Sequence, residues 1–176
     1  MASPKRSYDD RLKLTSRLLI GGIAGFVGTM AMTAAMQRLH RRLPSEERYP
    51  LTPREIVDSG SKQLGVPLSA EVAKDVTTAA HFAYGAAMGA MIAALNPDPT
   101  KRTGAAAGAA IWVASYMGWI PAVGPLEPAT RHPARRNLLM IGAHLVWGSA
   151  TSAAIRELRE ARATIFRDGP DEDAPR

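Results

Sequence analysis

Four stretches of this chain, residues 18–37, 76–97, 103–126 and 137–155, contain no Asp, Glu, Lys or Arg. Each is about as long as the ~20-residue apolar run a helix needs to cross a bilayer. All 22 Lys and Arg lie outside them. Charge is therefore segregated by segment and not spread along one face of each helix. A nucleic-acid binder uses the second pattern, so the net charge of +6 points to a lipid bilayer as partner and not to nucleic acid. A soluble Ala-rich bundle would place polar residues on its outer faces, and these runs have too few.

Only helices and closed barrels span a bilayer. The expected fold is accordingly all-α, polytopic, with four transmembrane helices arranged as two duplicated helical hairpins, plus a short extramembrane helix. The spans are placed at about 18–36, 76–95, 103–120 and 137–155. Residues 1–17 form a basic N-terminal lead, 38–75 an extramembrane loop, and 156–176 a charged tail whose end is polar and Pro-containing. The lead and first run resemble a signal peptide in outline. The run is longer than a usual h-region, however, and three arginines follow it at once, so it is read as a retained helix. Within the loop, Thr52-Pro53-Arg54-Glu55 reads as a helix start with a capping box, and Ser69 as the N-cap of the helix that leads into the second span. Pro121, Gly124 and Pro125 are expected to stop the third span, and Arg156 to pair with Glu160.

With the N-terminus inside, the inner segments hold twelve Lys and Arg against ten outside. This gives an N-in, C-in preference under the positive-inside rule, in a bacterial plasma (inner) membrane.

The duplication rests on order along the chain. Ala80-His81 matches Ala143-His144, Tyr84-Gly85 matches Trp147-Gly148, and Gly89-Ala90 matches Ser152-Ala153. Upstream, Gly21-x3-Gly25 is echoed by Gly104-x3-Gly108, and Pro50-Leu51-x-Pro53 by Pro125-Leu126-x-Pro128. The second and fourth helices then run in the same direction, with their histidines at similar depth. His81, Gly85 and Gly89 are four apart and share a face, as do His144, Gly148 and Ser152. Gly21, Gly25, Thr29 and Thr33 make a comparable ridge. Small residues at this spacing let helix backbones approach closely. Gly21, Gly25, Gly85, Gly89, Gly148 and Ser152 are therefore the expected packing residues. Each histidine is expected to mark an inward face at a pseudo-twofold seam.

His81, His144, Thr29 and Thr33 form the candidate intramembrane polar site. Three uses are open for the imidazoles: an interhelical hydrogen bond, a proton- or cation-responsive site, or bis-histidine ligation of haem b. No other cofactor and no metal site is suggested, because the spans contain no carboxylate for a Glu-x-x-His pair. No catalytic residues stand out: there is no P-loop, GxSxG or HExxH, and general acid–base chemistry lacks a carboxylate near the histidines.

At the second histidine, His144-Leu145-Val146-Trp147, the charged exit from Ile155 to Arg159 and the acidic Pro-containing tail resemble the YagU-like family of uncharacterised bacterial inner-membrane proteins. The glycine-rich first helix after a basic lead, with Gly22 and Gly25, is a weaker likeness. The resemblance implies an integral inner-membrane protein of unknown activity and assigns no residue a role. Tyr84-Gly85, Gly148 and the Thr52–Glu55 segment depart from it. The expectation is a non-enzymatic bundle of structural or stress-related type. The alternative is a small proton- or ion-linked transporter or channel subunit that uses His81 and His144. Homo-oligomers are compatible with either.

Overall fold

The computed structural model describes residues 12–48, 52–124 and 126–166. The start of the basic lead, the acidic end of the tail, and the Pro50-Leu51 and Pro125 parts of the upstream echo lie outside these residues. Four helices are long and apolar enough to cross a membrane: Leu14–His40, Ala70–Leu95, Lys101–Val123 and Ala134–Thr164. We call the first α1, the second α3 and the last α6. Between α1 and α3 lies the short helix α2, Thr52–Gln63. The third span is composite: α4, Lys101–Val113, passes through a π-helical turn at Ala114–Trp119 into α5, Ile120–Val123.

The helix ends follow local chemistry. Ser69 caps α3 by accepting from the Val72 N–H at 3.3 Å. Thr100 and Thr103 close a reciprocal capping box on α4, at 3.1 and 2.9 Å. Arg17 donates to the Ala93 carbonyl at 3.0 Å and to Ala94, placing a cation on the C-terminal end of α3, where the helix dipole favours one. Arg159 of α6 holds the following turn through Asp98 at 3.1 Å and the Pro97 carbonyl. The expected Arg156–Glu160 pair does not form, because Arg159 is the cation turned toward that turn.

Pro121 does not end the third span. The turn before it widens, so that the Ile120 N–H reaches back five residues to Ser115, and Gly118 takes a non-helical conformation, φ −112° and ψ −106°. A proline breaks the regular ladder by removing its own N–H, and a π-helical turn is one way a helix absorbs that disruption and continues. The helix ends at Gly124 instead, whose φ of 92° is the left-handed conformation glycine adopts without strain.

In the bundle, α1 packs on α3 and on α6, and α4 packs on α6. Glycine makes this possible. A Cβ at Gly21 would collide with Gly89 and Ala93, and one at Gly25 with Gly85 and Gly89. The second hairpin repeats the pattern, with Gly104 against Gly148 and Ser152, and Gly108 against the His144 carbonyl and Gly148. The repeated faces are thus used in both hairpins, but in a register that differs by one turn. Gly25 meets the Gly85 carbonyl, whereas Gly108 meets that of His144, one turn before Gly148.

The two hairpins join through α1 and α6. Gly28 lies against Thr151 and the Trp147 carbonyl. A pseudo-twofold relating the hairpins would pack α3 on α4 in the same way. It does not: α3 and α4 scarcely touch. The symmetric seam is broken on that side, and the gap is where the polar residues collect. Outside, Leu18, Leu19, Ile23, Phe26, Val27 and Met30 of α1 are exposed, the surface an apolar solvent would cover.

Candidate functional site

The gap holds a cavity of about 250 Å³, lined from α1 by Thr29 and Met32, from α3 by Thr77, Ala80, His81, Tyr84, Gly85 and Met88, and from α6 by Met140, His144 and Trp147. The third span contributes Ile111, Ser115, Tyr116, Trp119 and Ile120, and α2 contributes Pro53, Ile56 and Val57. His81 stands eleven residues into α3 and His144 ten into α6. At 1.5 Å per residue they lie about 17 and about 15 Å from the starts of their helices. The two imidazoles thus stand a similar distance along α3 and α6, and both line the one cavity.

Their hydrogen bonds fix the proton on each ring. A carbonyl can only accept, so His144 donates from Nδ1 to the Met140 carbonyl at 2.7 Å. This bond ties the proximal edge of the ring to its own helix. Thr33 donates its hydroxyl proton to the Thr29 carbonyl at 2.8 Å. Its oxygen is then left to accept from Nε2 of His81, 3.3 Å away. The two rings are opposite tautomers. The second nitrogen of each, Nδ1 of His81 and Nε2 of His144, has no partner among the described residues.

Thr29 is the junction. It donates to the Gly25 carbonyl at 2.8 Å and accepts from Trp147 Nε1 at 3.2 Å, while the same indole reaches the Gly25 carbonyl at 3.3 Å. A Cβ at Gly85 would strike the Thr29 hydroxyl. One hydroxyl therefore locks α1, α3 and α6 together. Of the candidate residues, Thr29, His81 and His144 line the cavity, and Thr33 supports His81 from behind. Ser152 is fully buried against Gly104, and its hydroxyl makes no hydrogen bond.

Tyr84, Ser115, Tyr116 and Trp147 were not among the candidates. Tyr84 and Trp147 carried a signal: each stands three residues after a histidine, at matched positions of the repeat. Ser115 and Tyr116 had none, since the π-helical turn sets their direction. The Tyr84 and Ser115 hydroxyls bond at 2.9 Å across the gap, and Tyr84 leans on Trp119 with ring centroids 6.1 Å apart. Tyr116 meets His144 edge to face at 6.0 Å.

At one end α2 covers the cavity. Its Glu55 carboxylate is gripped by both Arg136 Nη nitrogens, of which Nη2 also donates to the Thr52 hydroxyl at 3.3 Å. Both partners are half-buried. Glu55 thus serves as a latch to α6, and Arg54 pairs with Asp58 at 2.8 Å along α2.

What the fold defines is a helical protein with four segments able to cross a membrane, enclosing a mostly apolar cavity with two imidazoles in its wall. The chain matches no known family, no curated protein and no solved structure.

Proposed function

We propose that this chain is an integral, multi-pass protein of the bacterial plasma membrane, that it is not an enzyme, and that its bundle holds a small molecule between α1, α3, the π-helical turn and α6. The cavity carries the reading. The helices are otherwise closely packed, and a partly open cleft of about 250 Å³ between them, walled mostly by apolar side chains, is room that a ligand can use. Catalysis is disfavoured by the lining, which contains no carboxylate and no lysine. The Thr33–His81 contact is not an activated nucleophile, because the threonine proton goes to a carbonyl and Thr33 does not line the cavity. Haem is also disfavoured. His81 spends Nε2 on Thr33, and the space falls below the about 300–1,000 Å³ of sites for drug-sized ligands.

The membrane assignment agrees with the YagU-like resemblance of α6. The N-in, C-in preference would put the 96–100 turn in the cytoplasm and α2 outside.

The test uses protein in lipid nanodiscs and bromobenzene as a quencher of Trp147 and Trp119 fluorescence. Saturable quenching is expected in the native chain. Ala80→Phe, which fills the cavity from α3, should leave only the linear quenching of lipid-dissolved probe. Linear quenching in the native protein would sink the proposal. A second reading, proton-linked transport, is favoured by the two imidazoles that line one cavity. Proton flux in proteoliposomes that disappears in His81→Ala would put it first.

A further inference from the structure

The inventory of the cavity wall is one-sided. Thr29 and Thr77 give their hydroxyl protons to carbonyls one turn back, the latter at 2.6 Å to Ala73. Trp147 spends its N–H on α1, and Tyr84 and Ser115 bond each other. One hydroxyl proton of that last pair is left over at the edge of the gap, the Tyr116 hydroxyl is hydrogen-bonded with Thr52 of α2, and the Trp119 N–H belongs to a half-exposed ring on the outer side of the gap. The acceptors are different. His81 Nδ1 and His144 Nε2 are unspent sp² nitrogens in walls that are otherwise Met, Ile, Ala and aromatic. On His144 the bonded Nδ1 faces its own helix, so the free Nε2 is carried on the distal edge of the ring. An acceptor that opens onto a mostly apolar space keeps little of its hydration. A guest that donates a hydrogen bond repays that loss, whereas a guest that only accepts cannot.

The route in is set by the missing α3–α4 contact. The cavity is not fully enclosed, and the one hydrogen bond across the gap is Tyr84–Ser115. Tyr84 is fourteen residues into α3, about 21 Å along it, well inside the apolar span. Tyr84 and Trp119, at 36% and 46% exposed, flank the gap on its outer side. At the aqueous end, by contrast, α2 is latched through Glu55 and Arg136. The open wall therefore faces lipid hydrocarbon.

Building on the binding role proposed above, we infer that the cavity takes a small, neutral, largely apolar molecule bearing a hydrogen-bond donor, of the phenol or indole class, admitted from the bilayer between Tyr84 of α3 and Ser115 of the π-helical turn. Charged and strongly hydrated solutes are excluded, because no opposite charge waits for them inside. The guest's aromatic face lies among Trp147, Tyr116 and Trp119, and its donor is taken by an imidazole.

Three probes in nanodiscs test this: 4-bromophenol, 4-bromoanisole and bromobenzene, each expressed as mole fraction in lipid. Saturation of tryptophan quenching by 4-bromophenol is expected at about tenfold lower mole fraction than by the other two, as one buried hydrogen bond to an otherwise unpaired group allows. His144→Leu and His81→Leu should together bring the three within about twofold. Equal binding of all three to the native protein overturns the donor requirement while leaving the binding role intact. Saturation by none of them overturns both. The chain has no cysteine, so the route is tested on a clean background. A short bis-maleimide linker, to which both thiols add, across Tyr84→Cys and Ser115→Cys should slow the onset of quenching by about tenfold, and one across Glu55→Cys and Arg136→Cys should not. The reverse result would move admission to α2 and overturn the lateral route.

Discussion

At the scale of single residues, glycine positions divide sharply by what surrounds them. Gly25 and Gly85 sit where a Cβ would meet the facing backbone or the Thr29 hydroxyl, whereas a Cβ at Gly60 would meet nothing within 4 Å. Gly25→Ala should cost about 1–3 kcal/mol through overpacking, and Gly60→Ala should gain about 0.5–1 kcal/mol through backbone entropy. Unfolding in mixed micelles measures both. Gly85→Leu should likewise abolish assembly where Ala87→Leu, on an exposed face, is tolerated. Trp147→Phe removes both bonds to α1 and leaves a smaller ring in a buried position. A loss of about 1–3 kcal/mol is expected, because the vacated volume adds to the about 1 kcal/mol of net hydrogen bonding. The glycine faces and the histidines were legible because helical spacing of four is a local property. Thr33's role behind His81 was not, because it depends on which way two side chains turn after α1 and α3 have packed.

At the scale of elements, α2 and the π-helical turn set the shape of the cavity. Arg136→Ala removes the grip on Glu55 and Thr52. Amide exchange across residues 52–63 should then quicken about tenfold while α1 and α6 stay protected, which hydrogen exchange by mass spectrometry resolves. Unchanged exchange would mean that Pro53, Ile56 and Val57 hold α2 without the ion pair. Deleting Gly118 restores an ordinary helical register before Pro121 and rotates Ser115 and Tyr116 away from α3. Loss of saturable bromobenzene quenching with retained helicity is the expected outcome. The Ser69 cap was readable from a side chain that bonds its own neighbours, and the start of α2 from Thr52 and Pro53, although Glu55 bonds Arg136 and does not close the expected capping box. The π-helical turn was not: Pro121 announced an interruption, but either a stop or a widened turn accommodates proline.

At the scale of the whole molecule, the proposed four crossings would put the 96–100 turn on one side of the membrane and α2 on the other. A membrane-impermeant maleimide should label Lys62→Cys in intact cells and Asn96→Cys only after permeabilisation. Labelling of both from one side would contradict the four-crossing arrangement, and the inverse pattern would reverse the N-in preference.

The sequence by itself determined that there are four apolar helices, which of their faces are made of small residues, and that two histidines stand at matched positions of an internal repeat. Those properties follow from segregation of charge and from local periodicity. Only the tertiary structure decided that the internal repeat does not produce a symmetric bundle. The α1–α6 junction closes because Thr29, Trp147 and Gly28 fit one another. The equivalent α3–α4 face carries Tyr84, Ser115 and a widened helical turn, which hold the two helices apart. A cavity arises from that difference in side-chain volume and backbone path, and neither is visible until the four helices are brought together.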